Sequence, residues 1–542
     1  MVTYHFSDTE VYSKELLKLF TKSTFKDSAS VVQYLQEQIQ QAQTLGYIES
    51  SVDSLRFQKP KVDIYIFLGR KVEQVSIRYD LRYEDVLLAV NSRYLSKEFK
   101  DAKRIGEENQ KIINYLDNNG YPFAEVKLDS VRLTDIGVTA FLEIDRGEQI
   151  VYDTIQIKGN LRVSKSFLYG YTGIKPGELY NNKKVLALQK KINALPFAQQ
   201  NTEAELTYKD KKVSVDIPAK ALKNNRFDGI LGILPNDETT GKLVLTGEVN
   251  VFLQNTLRSA EELNFKWQKL ESSSQKLLVD FKIPYIFNTK LGLSAGLDLL
   301  KQDSTYLNSV LTVGAQFYFS GQNNIGLRYR TKSSSILSKD SIIKTQFKAY
   351  QILSTGLTFD YKVLDYYFNP HRGIDINLNS GIGKKEVYDD IQTNNSFVQY
   401  DAALSVKWYL QLAKKHTFLL ANRSATLVSE SLYKNELYQI GGLKSIRGFM
   451  ESSIYASTYS IMSLEYRFIF EKNSAMFTFF DAAWYEKKLD SYYYDYPFGF
   501  GFGLFFKTKA GVFTISYAMG QQRNEHVNIK NAKIHFGFIN KF

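Results

Sequence analysis

From about Phe227 to the C-terminus the chain alternates apolar and polar residues with a period of two, in one run after another. Leu357, Phe359, Tyr361 and Val363 alternate with Thr358, Asp360 and Lys362. Leu404, Val406, Trp408, Leu410 and Leu412 alternate with Ser405, Lys407 and Gln411, and Phe513, Ile515, Tyr517 and Met519 with Thr514, Ser516 and Ala518. Polar breaks such as "SGQNN", "TKSSS" and "DDIQTNN" separate the runs. This pattern suits a strand with two unlike faces. The roughly 316 residues of this half, at about 20 per strand and connection, make about 16 strands. A soluble sandwich would also alternate, but it has no need of so many long strands. A closed transmembrane barrel does: it pairs every backbone group and shows lipid no open edge. The 37 Tyr and 37 Phe, against 9 Pro, suit such a sheet and its interfacial aromatic girdles.

Residues 1 to about 220 read differently. "SASVVQYLQEQIQQAQTLGYIES" is a helix with apolar Val32, Leu35 and Ile39 that ends near Gly46, followed by the strands "KVDIYIFLGR" and "KVEQVSIRY". The order recurs through "GEENQKIINYLDNNGYPFAEVKLDS" and "VTAFLEIDRG", with Gly120-Tyr121 standing where Gly46-Tyr47 stood. A third unit runs from Tyr152 to "KKVSVDIPA", with Leu195-Pro196-Phe197 in the Gly-Tyr place. Three strand–helix–helix–strand–strand units of about 75 residues form a repeat array that presents edges and faces to partners. The expected domains are 1–70, 71–148, 149–222 and a barrel over 223–542.

Composition excludes several functions. With no cysteine there are no disulfides, thiolate metal sites or cysteine nucleophiles. The formal charge of +12 comes from scattered lysines, without an arginine-rich run, so nucleic acid is not an expected partner. His5, His371, His416, His526 and His535 lack metal spacing, and there is no phosphate loop. "GLSAG" (Gly292–Gly296) matches a serine-hydrolase elbow but lies inside an alternating strand, where no helix follows. Neither an enzyme nor a cofactor or metal is expected. "MVTYHFSDTE" has no basic start or apolar core, and a barrel of this kind must cross an inner membrane. Its signal peptide is therefore expected to have been removed.

The stretch "GGLKSIRGFMESS" (Gly441–Ser453) interrupts the alternation. Arg447 there could be an ordinary surface residue. Downstream, however, Leu464, Tyr466, Phe468 and Phe470 make a lipid face, which turns Glu465 and Arg467 inward. On the next strand Asp481 shares the inward face with Phe479 and Ala483, and Trp484 looks outward. An arginine folded into the lumen on a glycine hinge would meet two carboxylates, and left unpaired there it would be costly. The loop, about 430–458, is expected to fold back into the barrel.

These residues carry a resemblance. "SIRGF" (Ser445–Phe449, with Gly448 and Phe449) resembles the Val-Arg-Gly-Phe/Tyr signature of the BamA/TamA family of outer-membrane protein assembly factors. "FFDAA" resembles the family's Phe-x-Asp-x-Gly strand, with Ala483 for glycine, and "SLEYRF" its Glu-x-Arg strand. "FNPHRG", with Pro370 and Gly373, resembles its Pro-x-x-Gly turn, and "FKIPYIF" its Pro-Tyr strand. The repeats are similar to POTRA modules, and three of them bring the chain nearest to the translocation-and-assembly subfamily. The resemblance spans essentially the whole chain.

It implies a Gram-negative outer-membrane barrel with its POTRA units in the periplasm. The family's activity would be insertion of other barrels, whose strands enter at a seam between the first and last strands. Here the seam would join "RFDGILGIL", weakened by Gly229 and Gly232, to "NAKIHFGFINKF", with Phe536, Phe538 and the terminal Phe542. Phe542 also resembles the terminal aromatic by which such barrels are recognised. Implied partners are unfolded outer-membrane proteins, outer-membrane lipid, and accessory lipoproteins or a periplasm-spanning protein bound through the repeats. The alternative is a two-partner-secretion transporter exporting a polypeptide through its pore. Three repeats without a detached plug helix count against export, and the repeats count against a diffusion porin.

Overall fold

The computed structural model describes residues 2–541 apart from 8–15, 17, 59–60, 72–74, 97, 100–102, 135–136, 236–242, 270–273, 367–368, 389–394, 444, 451, 472, 490, 509–510 and 524–531. The chain divides into two compact units. One comprises Met1–Ile155, Lys175–Ala187 and Glu205–Val215, the other Gln156–Ile174, Leu188–Ala204 and Asp216–Phe542.

In the first unit, Lys61–Phe67 is the middle strand of a sheet, parallel to Val2–Phe6 and antiparallel to Ser51–Gln58. Helix Ser28–Thr44 covers it, started by a capping box in which the Asp27 carboxylate accepts from the Ser30 amide at 2.8 Å. Gly46, at φ +101, takes the left-handed backbone that ends it. The helix buries Val31, Leu35 and Ala42 against Ile64 and Ile66. Val32, apolar and adjacent in sequence, does not join that face. It is 41% exposed, because a spacing of four from Leu35 falls on Val31. A second sheet runs in the order Glu98–Phe99, Val75–Tyr79, Gly137–Asp145, Glu125–Thr134, packed against Glu84–Ala89 and Lys103–Asp117. The division between units passes through the third repeat, whose strands are Val151–Lys158, Ala198–Gln200, Glu205–Lys209 and Lys212–Ala221.

The second unit contains a barrel of sixteen long antiparallel strands. They are β1 (Arg226–Pro235), β2 (Leu243–Gln254), β3 (Glu262–Lys269), β4 (Gln275–Ile286), β5 (Leu291–Gln302) and β6 (Tyr306–Ser320). Next come β7 (Asn323–Ile336), β8 (Ala349–Leu364), β9 (Gly373–Tyr388), β10 (Asn395–Ala413) and β11 (His416–Ser429). After the long loop follow β12 (Thr458–Glu471), β13 (Ser474–Lys488), β14 (Phe498–Lys507), β15 (Val512–Gln521) and β16 (Lys533–Lys541). A short strand, Tyr492–Asp495, continues the β13 hairpin.

Burial in the barrel is inverted relative to a water-soluble core. On β7, Ile325, Leu327 and Tyr329 are exposed, while Asn324 before them and Arg328 between them are buried. On β8, Leu353 and Leu357 face outward and Ser354 inward. Polar side chains inside and apolar ones outside are what a lipid-facing barrel requires. No described helix is long and apolar enough to cross a membrane.

Two short connections explain motifs seen in the sequence. Between β8 and β9, the Asp365 carboxylate accepts from the amides of His371 and Arg372 at 3.0 and 3.1 Å, and Pro370 is buried. Gly373, at φ +134, passes so close that a Cβ there would lie 2.1 Å from the Val363 carbonyl oxygen. On β4 the register shifts between Ile283 and Ile286 around Pro284, which cannot donate to the ladder. The bulge swings Tyr285 so that its hydroxyl donates to the Gly321 carbonyl at 2.5 Å and its ring meets Phe167 and Tyr171 edge-on.

Leu357→Arg would put a charge on the lipid face near the middle of β8 and is expected to cost about 2–4 kcal/mol of folding stability, with Leu357→Phe close to neutral. Urea-titrated folding equilibria in phospholipid vesicles measure both.

Candidate functional site

The connection from β11 to β12 forms a short hairpin, Tyr438–Ile440 paired with Ile454–Ala456, whose tip carries Arg447. Strands β12 and β13 pair Ser463 with Asp481 and Glu465 with Phe479, so the two carboxylates sit diagonally on one face. Arg447 reaches both. Its Nε and one terminal nitrogen donate to the two Asp481 oxygens at 2.7 and 2.6 Å, a bidentate pair. The Arg447 amide adds a bond to Asp481 at 3.1 Å, and the other terminal nitrogen donates to Glu465 at 2.6 Å. The free Glu465 oxygen accepts from Arg467 Nε at 2.7 Å, and Arg467 reaches Asn369 in the β8–β9 turn at 3.4 Å. Two guanidinium groups thus balance two carboxylates. Asp481 is fully buried and Glu465 nearly so. Buried and charge-balanced, the pairs hold the loop where a lone buried charge would be costly.

Besides Gly448, the site rests on glycines of β14 and β15 that lie outside the motifs named above. In "FGFGFG" of β14, Gly499 lies beneath the loop: a Cβ there would be 1.9 Å from the Arg447 carbonyl oxygen. Gly501 leaves room for the Phe479 ring, over which the Arg447 guanidinium stacks at 3.6 Å. Gly520, opposite Gly499 on β15, is where the Phe449 ring lands. Gly448, at φ +96, turns the chain against Met519. Phe449 and Ile446 join Ile440, Ile454 and Ala483 in a small apolar cluster. The signal was present as glycine alternating with phenylalanine, which marks a strand approached closely on one face.

The other named residues lie elsewhere. Pro370 and Gly373 shape the β8–β9 turn, which is linked to the ion cluster through Asn369. Among the described residues, β1 pairs with β16 at the seam through Arg226↔Lys541 and Phe227↔Asn540. Gly229 and Gly232 are paired on their other side, to Val249 and Thr246 of β2, and Phe536 and Phe538 to Ile515 and Phe513 of β15. Phe542 lies outside the described residues. Among the described residues no group of three or more His, Cys, Asp or Glu is placed to hold a metal.

Strand number, inverted burial and preceding repeats together define an outer-membrane barrel protein with periplasmic repeat modules. The profile of the Omp85 superfamily domain matches residues 255–542, and that of the POTRA "surface antigen variable number repeat" matches residues 150–218. The chain belongs to the Omp85 superfamily. Its members are assembly factors and transporters rather than enzymes. Membership puts the barrel in the Gram-negative outer membrane and the repeats in the periplasm. Among solved structures, CdiB from Escherichia coli is similar with TM-score 0.57 and 13% identity, over 96% of this chain and 100% of that one. CdiB from Acinetobacter baumannii gives 0.55 and 13%, with the same coverage. BamA from Haemophilus ducreyi lacking POTRA domains 1–3 gives 0.47 and 16%, over 87% and 100%. At these identities the likeness speaks to the fold alone.

Arg447→Ala would leave two buried carboxylates short of a partner and is expected to weaken the loop's seating by about 3–5 kcal/mol. Arg447→Lys would rescue little, since an ammonium cannot make the bidentate pair. Gly499→Ala should unseat the loop with every charge intact. Trypsin cleavage after residue 447 in wild type and in Gly499→Ala, and overall protease sensitivity of the loop in all variants, reads the displacement.

Proposed function

We propose that this chain inserts other β-barrel proteins into the outer membrane, taking up their strands at the seam between β1 and β16. The observation that carries the reading is the uneven ladder. β8 and β9 are paired along their length, from Ala349↔Tyr388 to Leu364↔Gly373, whereas the seam has two residue pairs. Opening a two-pair junction costs far less than opening a full ladder, and the freed edges of β1 and β16 offer unpaired backbone groups to an incoming strand. Gly229 and Gly232 lower the cost further, because glycine loses more freedom on joining a sheet. Burial of the substrate's apolar face in lipid supplies the driving force, and no nucleotide is needed. The repeats receive unfolded substrates and partners before they reach the seam. Export of a polypeptide through the lumen is the competing reading. The inward loop held by Arg447 favours the seam, since an exported chain would have to displace it.

The chain is free of cysteine, so a pair introduced at Phe227 and Asn540, which face each other across the seam, would be its only thiols. In vesicles, the oxidised variant is expected to lose insertion of an unfolded barrel substrate and to recover it on reduction. Insertion at the wild-type rate with the seam locked would overturn the seam route.

A further inference from the structure

The loop has a second attachment, to a different wall. A short helical turn, Lys434–Glu436, precedes the hairpin. There the Glu436 carboxylate pairs with the Lys385 ammonium of β9, both side chains fully buried. Lys385 also donates to the Ser431 carbonyl at 2.7 Å, and Lys332 of β7 donates to the Glu436 carbonyl at 3.3 Å. Asn435 extends the attachment across neighbouring strands. Its carbonyl accepts from Asn308 of β6 at 2.8 Å and from the Tyr350 hydroxyl of β8 at 3.2 Å, and its amide donates to Ser334 of β7 at 2.7 Å. The base of the loop is thus fastened to β6–β9, and the tip, through Arg447, to β12 and β13 against β14 and β15. Strands β10 and β11 lie between these two walls.

We infer that the loop is a strut with two independent anchors, and that Glu436 and Lys385 are the positioning residues of the second. A buried ion pair holds only while both partners remain, since the survivor is left as an uncompensated buried charge. Each anchor uses its own charges and its own strands, so releasing one leaves the other's bonds in place. The consequence rests on the insertase reading: the wall beside the seam, β12–β15, stays braced to β6–β9 while β1 parts from β16.

Single cysteines at Ser431 (base) and Ser445 (tip) report on each end by maleimide labelling of the full-length protein in vesicles, against a cysteine-free background. Glu436→Gln is expected to speed labelling at position 431 at least about tenfold, with position 445 unchanged. Arg447→Ala is expected to do the reverse. The reversed pair, Lys385→Glu with Glu436→Lys, should restore slow labelling at 431, and heat-modifiable gel mobility checks that each barrel is folded. Labelling unaffected by Glu436→Gln, or rising at both positions together in either variant, would overturn the two-anchor strut. Neither readout depends on what the protein inserts or exports, so failure here leaves the seam assay standing, and failure there leaves this one.

Discussion

A guanidinium buried inside the barrel must be met by counter-charges fixed in advance. The bidentate pair of Arg447 with Asp481 is that meeting, and much of the C-terminal sequence around it is arranged to permit it. Strands β12 and β13 must be in the register that sets Glu465 and Asp481 on one face. Strand β14 must lack a side chain at residue 499 so the loop backbone can lie against it, and β15 must lack one at 520 for Phe449. A one-residue slip in any of these strands would turn its carboxylate or its glycine to the lipid.

The same constraint separates the rigid part of the barrel from the weak one. Ladders run the length of the strands around most of the circuit, because lipid offers backbone groups no alternative partner. The loop fastens two stretches of that wall together through buried ions. The seam, joined at Arg226↔Lys541 and Phe227↔Asn540, is where pairing is shortest. In the proposed function, that short junction is where the barrel opens sideways.

Much of this was legible in the sequence because a membrane barrel writes its geometry in a period of two. Alternation gave the inward direction of Glu465, Arg467 and Asp481, and alternation with the length of the C-terminal half gave the strand count. What stayed hidden depended on contacts between strands distant in sequence. The Lys385–Glu436 pair joins a strand residue to a loop residue 51 positions on, each of which looks like an ordinary surface charge by itself. Gly499 and Gly520 act through what they leave room for, and that is visible only once the loop is in place. In the first repeat, Val31 and Val32 are the same residue type at adjacent positions, and only the helix's phase against its sheet decides that Val31 goes inside.

Quantitative outer-membrane proteomics after depletion of this protein in its own cell tests the central claim most directly. The account predicts that many unrelated β-barrel proteins fall together, their unfolded forms appearing in the periplasm. A single secreted protein accumulating in the periplasm while the barrels stay level would contradict it, and would make the Arg447 loop part of an export gate.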